Sequence, residues 1–253
     1  MEVKHPYLDN TNPIAFAHRG GTSAAPENTL RAFDDAVNLG YRYVETDVHA
    51  TRDGVLVAFH DNDLQRTCGK PWRIAETDWS TLATARIDGT DPIPLLTDLL
   101  STWPDLRLNI DCKSDAAMQP LIDTIRRTKC LDRICVGSFS DKRLRHIRSE
   151  LGAGLCTSMG PQEVVRLVLA SGTGLPINPS RHALIAQIPV RQGPIPVVTR
   201  RSIARAHTLG LQVHVWTIDN PQEISRLLDM GVDGIMSDDT RALKSVFWAR
   251  HVW

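Results

Sequence analysis

The stretch that decides the fold is residues 43–61, with the sequence YVETDVHATRDGVLVAFHD. It predicts a strand, a two-residue Asp-Gly turn and a returning strand, because Asp-Gly favours the positive φ angles of tight hairpins. Alternate side chains of a strand lie on opposite faces, so Glu45 and Asp47 share one face. A two-residue turn also pairs His60 with Asp47. The stretch therefore predicts two carboxylates and an imidazole converging on one patch.

The same carboxylates have a simpler interpretation, in which they lie on a solvated edge strand and His60 only caps a turn. Against it, the flanking β-branched and aromatic residues indicate that the strand is buried. Two carboxylates that point into a buried site do not both ionise without a cation to hold them. The pattern favours a divalent cation at Glu45 and Asp47, with an acid/base group beside it.

Strand and helix patterns alternate along the whole chain. Besides the hairpin, strands are predicted at residues 14–18, 106–113, 133–138, 153–157, 184–188, 211–216 and 232–237. A helix pattern follows each of them, and eight such repeats in 253 residues predict a (β/α)8 TIM barrel that forms one domain over residues 1–253. Residues 62–93 are irregular and too long for an ordinary loop. They are predicted to be a small insertion after the second strand.

Composition excludes several classes of protein. The 29 basic and 29 acidic residues balance, so bulk charge indicates neither a nucleic-acid nor a membrane-surface partner. Five cysteines without C-x-x-C spacing predict reduced thiols rather than a disulfide framework or a zinc site. No leader-like or membrane-spanning apolar run is visible, which predicts a cytoplasmic protein with no integral membrane segment. The sequence indicates no oligomeric state.

Short motifs follow one another in order along nearly the whole chain. They are His18-Arg19-Gly20, Pro26-Glu27-Asn28-Thr29, Glu45-x-Asp47-Val48, Thr51-x-Asp53-Gly54, His60-Asp61, Leu64-x-Arg66-Thr67, Asp111-x-Lys113, Val213-His214-Val215-Trp216-Thr217 and Gly231-Val232-Asp233-Gly234-Ile235-Met236-Ser237-Asp238. This series resembles the signature of the glycerophosphodiester phosphodiesterase family, and only residues 138–205 carry little of it. The resemblance implies a barrel with one divalent cation that cleaves small glycerophosphodiesters to glycerol 3-phosphate and an alcohol, in lipid and glycerol metabolism.

The resemblance also implies roles for individual residues. The two catalytic histidines of the family match His18 and His60, and its metal-binding carboxylates match Glu45 and Asp47. The third family ligand is usually a glutamate, and Asp111 stands there in this sequence. Its side chain is one methylene shorter, so both direct ligation and a bridging water remain open.

Basic and aromatic side chains complete the predicted site. Arg19 and Lys113 match the phosphate-contacting residues of the family, although both could simply balance the carboxylates. Trp216 ends a predicted strand, where the sites of barrel enzymes lie, and it either walls the glycerol pocket or packs in the core. His214 shares its face and is predicted to be a hydrogen-bonded core histidine.

The chemistry of these groups agrees with the resemblance. Oxygen ligands select a hard cation, Mg²⁺ or Ca²⁺, and imidazoles titrate near neutral pH, as proton transfer requires. A cyclic phosphate intermediate is predicted, formed by the glycerol hydroxyl beside the ester. Three alternatives remain: a lysophospholipase D, which needs an apolar groove at the barrel mouth; a metal-dependent isomerase or lyase; and a silent phosphate-binding module. The sequence does not indicate which alcohol the substrate carries.

Overall fold

A closed barrel of parallel strands is the centre of the computed structural model, which describes residues 5–174, 176–180 and 182–253. The strands in chain order are β1 (Ile14–Ala17), β2 (Tyr43–Ala50), β3 (Leu56–Ala58), β4 (Arg86–Ile87), β5 (Asp91–Pro92), β6 (Arg107–Cys112), β7 (Ile134–Gly137), β8 (Cys156–Ser158), β9 (Ala183–Pro189), β10 (Arg191–Gln192), β11 (Ile195–Pro196), β12 (Gln212–Trp216) and β13 (Gly234–Ser237). The barrel order is β1-β13-β12-β9-β8-β7-β6-β2, and pairing of β1 with β2 closes it.

Helices surround this barrel. They are α1 (Leu30–Asn38), α2 (Gln65–Cys68), α3 (Trp79–Leu82), α4 (Leu96–Thr102), α5 (Met118–Thr128), α6 (Asp141–Leu151), α7 (Pro161–Thr173), α8 (Arg200–Thr208), α9 (Pro221–Met230) and α10 (Thr240–Ala249). Each barrel strand leads to one of α1 and α4–α10, so the predicted (β/α)8 architecture is confirmed. Among the described helices, none has the length and apolar character that crossing a membrane requires.

Local sequence signals set the helix ends. Thr29 caps α1 by accepting a hydrogen bond from the Ala32 N–H, and Asn220 caps α9 ahead of its N-terminal proline. Gly231 ends α9 in the left-handed conformation that glycine adopts without strain. These caps fix where each loop leaves the barrel, and the loops carry the site.

Apolar side chains fill two separate layers. Inside the barrel, Phe16, Tyr43, Cys135, Ile185 and Met236 are buried in one cluster, to which the N-terminal segment adds a buried tyrosine. Between barrel and helices, a larger cluster buries the outward side chains of the strands. On β6 the predicted alternation is confirmed, because Leu108 and Ile110 join the outer cluster while Asn109 and Asp111 line a cavity at the barrel mouth.

The predicted hairpin register is wrong by one residue. β2 pairs with β3 so that His49 is opposite Val57, and the Phe59 N–H donates to the Asp47 carbonyl. The turn has three residues rather than two, since the Thr51 N–H donates to the Val55 carbonyl across it. The Thr51 hydroxyl, which donates to Asp53 and accepts from the Val55 N–H, stabilises this longer turn.

The segment after β3, predicted to be an irregular insertion, has a small core of its own. It contains α2, α3 and the antiparallel pair β4–β5. Leu64, Ile74, Leu82 and Ile87 are buried together, and this cluster continues onto Val57 of β3. The segment therefore holds a fixed position beside β2, from which α2 reaches the site.

Candidate active site

The carboxyl ends of the barrel strands surround a cavity of about 700 Å³. Its lining includes all eight residues that the sequence predicts for the site, namely His18, Arg19, Glu45, Asp47, His60, Asp111, Lys113 and Trp216. Active sites of this fold lie at this end of the barrel. The structure thus brings the whole predicted set together.

Neighbouring strands place the carboxylates side by side. In the parallel pairing of β2 with β6, Asp47 is opposite Asp111, so both side chains point into the barrel mouth at one level. Lys113 Nζ lies 2.8 Å from Asp47 Oδ1 and 2.7 Å from Asp111 Oδ2. Glu45 is one step deeper on the same face of β2 and is almost completely buried.

His18 is held by the carboxylate of Asp238, which directly follows the last strand of the barrel. Its Nδ1–H donates to Asp238 Oδ1 at 2.7 Å, and its Nε2 lies 3.6 Å from Glu45 Oε2. Because β1 pairs with β13, residues that directly follow these strands are neighbours, although 220 positions separate them in sequence. Gly20 allows the tight turn that follows, since its φ is +84° and a Cβ there would meet the α1 backbone at 3.0 Å.

Arg19 joins three carboxylates. Its backbone N–H donates to Glu45 Oε2 at 3.1 Å, its Nε lies 3.2 Å from Asp47 Oδ2, and its Nη1 donates to Glu27 Oε1 at 3.1 Å. Asn28 supports the same region from α1's leading loop by donating to Asp47 Oδ2 and accepting from the Thr46 hydroxyl. Asp47 is therefore fixed from both sides.

His60 belongs to a second network, which extends into the insertion. Its Nδ1–H donates to Asp61 Oδ1 at 2.6 Å. Arg66 of α2 binds the other oxygen of Asp61 at 2.6 Å and also donates to Glu27. Glu27 in turn accepts from Arg19, so one chain of ion pairs connects the two histidine-bearing loops.

Burial and neighbouring charges shift the pKa values in this cavity. Burial, helped by the charge of Asp47, raises the pKa of Glu45 to about 7. Burial alone would also raise the pKa of Asp47. The positive charges of Lys113 and Arg19 outweigh burial, so the pKa of the Asp47 carboxyl is lowered. Burial alone would lower the pKa of His18, yet the Glu45 and Asp238 carboxylates raise it above its ordinary value. His18 therefore stays protonated to higher pH than a free imidazole.

The carboxylates of the cavity form a set of oxygen donors that a divalent cation could use. Within the described part of the chain, no three His, Cys, Asp or Glu side chains form a group that could hold a metal ion as they stand. The donor set nevertheless suits a hard cation, because three carboxylates point into one cavity and the buried Asp111 Oδ1 has no hydrogen-bond partner among the residues that the structure describes.

Trp216 and His214 differ in environment. Trp216 lines the cavity and its ring meets Phe139 edge to face at 5.6 Å. His214 is completely buried, its Nε2–H donates a 2.9 Å hydrogen bond to Gln212 Oε1, and its ring packs on Phe16, which confirms the predicted core histidine.

Sequence reasoning assigned no role to several residues that support the site. They are Asn28, Asp61, Arg66 and Asp238. Closure of the barrel was the available signal for Asp238, because it makes the ends of the first and last strands neighbours. The position of Asp61 directly after His60 was a weaker signal of the same kind.

Two histidines, three carboxylates and two basic side chains meet at the carboxyl ends of the strands of this (β/α)8 barrel, which is where barrel enzymes have their active sites. A sequence model of the Glycerophosphoryl diester phosphodiesterase family matches residues 18–242. The chain belongs to this family, and the prediction of a phosphodiesterase is confirmed at that level. Membership favours this activity over the isomerase, the lyase and the silent binding module.

Individual relatives agree with the family match. The chain is 38% identical over 255 residues to "Probable glycerophosphodiester phosphodiesterase 2" of Mycobacterium tuberculosis (strain ATCC 25618 / H37Rv), covering 98% of this chain and 95% of that protein. A glycerophosphodiester phosphodiesterase from Parabacteroides distasonis ATCC 8503 has a similar fold, with a TM-score of 0.76 at 23% identity over 96% of this chain and 99% of that one. The structure of an Oleispira antarctica phosphodiesterase in complex with the product sn-glycerol-3-phosphate is similar with a TM-score of 0.75. The two chains are 22% identical, and the match covers 93% of this chain and 97% of that one.

Proposed function

We propose that this chain hydrolyses glycerophosphodiesters to glycerol 3-phosphate and an alcohol, with His18 and His60 as its proton-transfer pair. The observation that carries the proposal is that both histidines line one cavity and each bonds a carboxylate through Nδ1. An ionised carboxylate only accepts hydrogen bonds, so Nδ1 holds the proton and Nε2 is left to exchange one with the substrate.

Arg19 and Lys113 are proposed to bind the phosphodiester. Both side chains are positively charged and line the cavity, and each forms an ion pair with Asp47. A phosphodiester carries one negative charge that develops further as bonds rearrange, and charged N–H donors stabilise it well. Burial alone would lower the pKa of Lys113, but its ion pairs with Asp111 and Asp47 outweigh burial and raise the pKa. Lys113 therefore remains charged.

One divalent cation, Mg²⁺ or Ca²⁺, is proposed to be held by Glu45, Asp47 and Asp111. When bound, such a cation supplies positive charge to the phosphoryl oxygens. Binding of a dication also removes the conflict between the buried charges of Glu45 and Asp47.

In the first proposed step, His60 takes the proton of the glycerol 2-hydroxyl while that oxygen attacks phosphorus. The bond between phosphorus and the departing alcohol oxygen breaks, and His18 protonates this oxygen. His18 suits the acid role because its neighbours raise its pKa. The product of this step is a cyclic glycerophosphate, and attack from within the substrate can replace roughly 7–11 kcal/mol of barrier.

In the second proposed step, the roles of the histidines reverse. Neutral His18 takes a proton from water as the water oxygen attacks phosphorus, and His60 returns its proton to the glycerol 2-oxygen. The ring opens to glycerol 3-phosphate, and both histidines regain their starting protonation. Asp238 and Asp61 hold the two rings throughout.

The proposal is tested with glycerophosphocholine, glycerophosphoethanolamine and glycerophosphoinositol in Mg²⁺ or Ca²⁺. We expect release of glycerol 3-phosphate from at least one of them. Absence of glycerol 3-phosphate with every substrate and both metals would refute it. The same panel identifies the alcohol.

The cytoplasm is the proposed location. All five cysteines are free, and four of them are buried, as expected of thiols kept in a reducing compartment. A small-molecule substrate is consistent with balanced charge on the chain.

A further inference from the structure

Three polar side chains that the proposed mechanism does not use line the deep part of the catalytic cavity. They are Asn109, Ser158 and Gln187, and together they form a polar floor. Asn109 and Ser158 are each only 3% exposed. Among the described residues, Asn109 Nδ2, Ser158 Oγ and Gln187 Oε1 have no hydrogen-bond partner. Buried polar groups are normally hydrogen-bonded, so the floor indicates a place for a polar ligand.

A hydrogen bond across the barrel holds two of these side chains. Gln187 Nε2–H donates to Asn109 Oδ1 at 2.6 Å, although two other strands separate β9 from β6 in the barrel. Each amide uses one of its polar groups in this bond, which leaves the Asn109 Nδ2 donor and the Gln187 Oε1 acceptor for the cavity. Both atoms are therefore fixed before a ligand binds.

Gly137 keeps the space beside the floor open. A Cβ at this position would lie 3.3 Å from both Gln187 Oε1 and Ser158 Oγ, so these two oxygens converge over one backbone position. Gly137 is not among the glycines with positive φ, so its backbone conformation does not require glycine. The missing side chain leaves room for a ligand atom between the two oxygens.

Strand pairing sets the depth of the floor. Asn109 is opposite Glu45 in the pairing of β6 with β2, and it precedes Asp111 by two residues on the same face of β6. Two residues along a strand span roughly 6.6 Å. The floor therefore lies at the closed end of the cavity, one step below the groups proposed to hold the phosphodiester and the cation.

The donors and acceptors of the floor match a hydroxyl group. Asn109 Nδ2 only donates, Gln187 Oε1 only accepts, and Ser158 Oγ does both. A phosphate or carboxylate oxygen would meet the Gln187 oxygen with no hydrogen to donate, and an ammonium group would meet the Asn109 donor with no lone pair. A hydroxyl group, which both donates and accepts, satisfies all three side chains.

The proposed mechanism leaves one oxygen of the glycerol without a partner. The 3-oxygen is esterified to phosphorus and the 2-hydroxyl exchanges its proton with His60, so the terminal 1-hydroxyl remains. We propose, resting on the function proposed above, that the polar floor binds this 1-hydroxyl and makes the enzyme specific for glycerophosphodiesters in which it is free. The closed end then holds the glycerol, which all these substrates share, and the alcohol lies toward the open mouth. Ser158 and Gln187 belong to residues 138–205, where family motifs are sparse, so the family match assigns them no role.

A substrate without the 1-hydroxyl tests the inference. The diester of the panel above that is hydrolysed fastest is compared with its 1-deoxy analogue, which keeps the 2-hydroxyl and so can undergo both proposed steps. Release of the alcohol is measured for both. We expect kcat/KM to be at least about tenfold lower for the analogue, because it leaves buried polar atoms of the floor unpaired. A smaller difference would mean that the floor holds only water, and it would overturn the inference and leave the proposed function standing. If no diester of the panel is hydrolysed, both are overturned.

Substitutions locate the effect on the floor. Gln187→Met keeps the length of the side chain and removes the acceptor. It should lower the ratio of kcat/KM for the natural diester to that for the analogue to about one third or less of the wild-type ratio. General damage to the fold would lower both values alike and leave the ratio unchanged. If Gln187→Met does not fold, Ser158→Ala carries the same expectation.

Gln192→Met is the matched control. Gln192 lines the same cavity from β10 and lies outside the polar floor, so this variant should keep the wild-type ratio. A wild-type ratio in the floor variant, or an equal loss in Gln192→Met, would contradict binding of the 1-hydroxyl at the floor.

Discussion

The mouth of the barrel has two contrasting halves. The catalytic half consists of His18, Glu45, Asp47, His60 and Lys113 with their ion-pair partners, and each of these side chains lies within 4 Å of another charged or titratable group. The apolar half consists of Phe139, Val165, Leu169 and Ile195. One half fixes charged groups in place through ion pairs, and the other offers exposed apolar surface. Proton transfer demands fixed atoms, whereas contact with apolar parts of a substrate demands only apolar area.

Removal of the metal should have the largest effect, and it should act through the catalytic half alone. Excess EDTA is expected to abolish turnover of every substrate, and Mg²⁺ or Ca²⁺ should restore it, because the buried carboxylates then regain their cation. The measurement is the initial rate before and after re-addition of metal. Full activity in excess EDTA would remove the cation from the account.

Substitution of the two cavity histidines should have the second largest effect on activity. His18→Ala and His60→Ala should each lower kcat by roughly 10²–10⁴-fold, the usual contribution of a positioned acid or base. His146→Ala, an exposed histidine on α6, is the control and should retain wild-type kcat. Near wild-type kcat in either cavity variant would exclude that residue from proton transfer.

A substrate lacking the glycerol 2-hydroxyl tests the internal attack. The 2-deoxy analogue should bind comparably but turn over at least about a hundredfold more slowly, because attack from within the substrate is lost. Steady-state kinetics on the analogue and the natural substrate give the ratio. Hydrolysis at the natural rate would mean that water attacks phosphorus directly.

Asp238→Asn should have a smaller effect, seen mainly in the pH profile. The carboxylates beside His18 raise its pKa, and the acid role uses the protonated form. Removing one of these charges lowers the pKa, so the alkaline limb of kcat/KM should move to lower pH. The amide still accepts the Nδ1–H, and the loss at the pH optimum should be about tenfold or less. An unmoved alkaline limb would show that His18 is not the acid.

The sequence predicted the reactive side chains of the catalytic half, but it predicted neither their partners Asp238 and Asp61 nor the apolar half. Alternating strands and helices predicted the barrel, and polar residues on one face of each strand predicted Glu45, Asp47 and Asp111. On α7, the run of valines and leucines satisfies a core-facing pattern, and periodicity does not tell which apolar face stays open. Residues 138–205, where family motifs are sparse, build that half.

Two other features of the structure could not be predicted from local sequence patterns. The hairpin register depends on side-chain hydrogen bonds of Thr51 inside the turn, which compete with the shorter Asp-Gly turn. The His18–Asp238 pair depends on closure of the barrel through β1 and β13. Both are set by contacts that only the folded chain makes.

The central claim is that proton transfer and substrate recognition belong to separate groups of the cavity, and one crossed measurement tests it most directly. It compares kcat/KM over pH for the fastest diester and its 1-deoxy analogue in wild type, Asp238→Asn and Gln187→Met. The account predicts that Asp238→Asn moves the alkaline limb for both substrates and keeps their ratio. It predicts that Gln187→Met lowers the ratio and keeps the limb in place. A single substitution that changes both the limb and the ratio would contradict this separation of roles within the site.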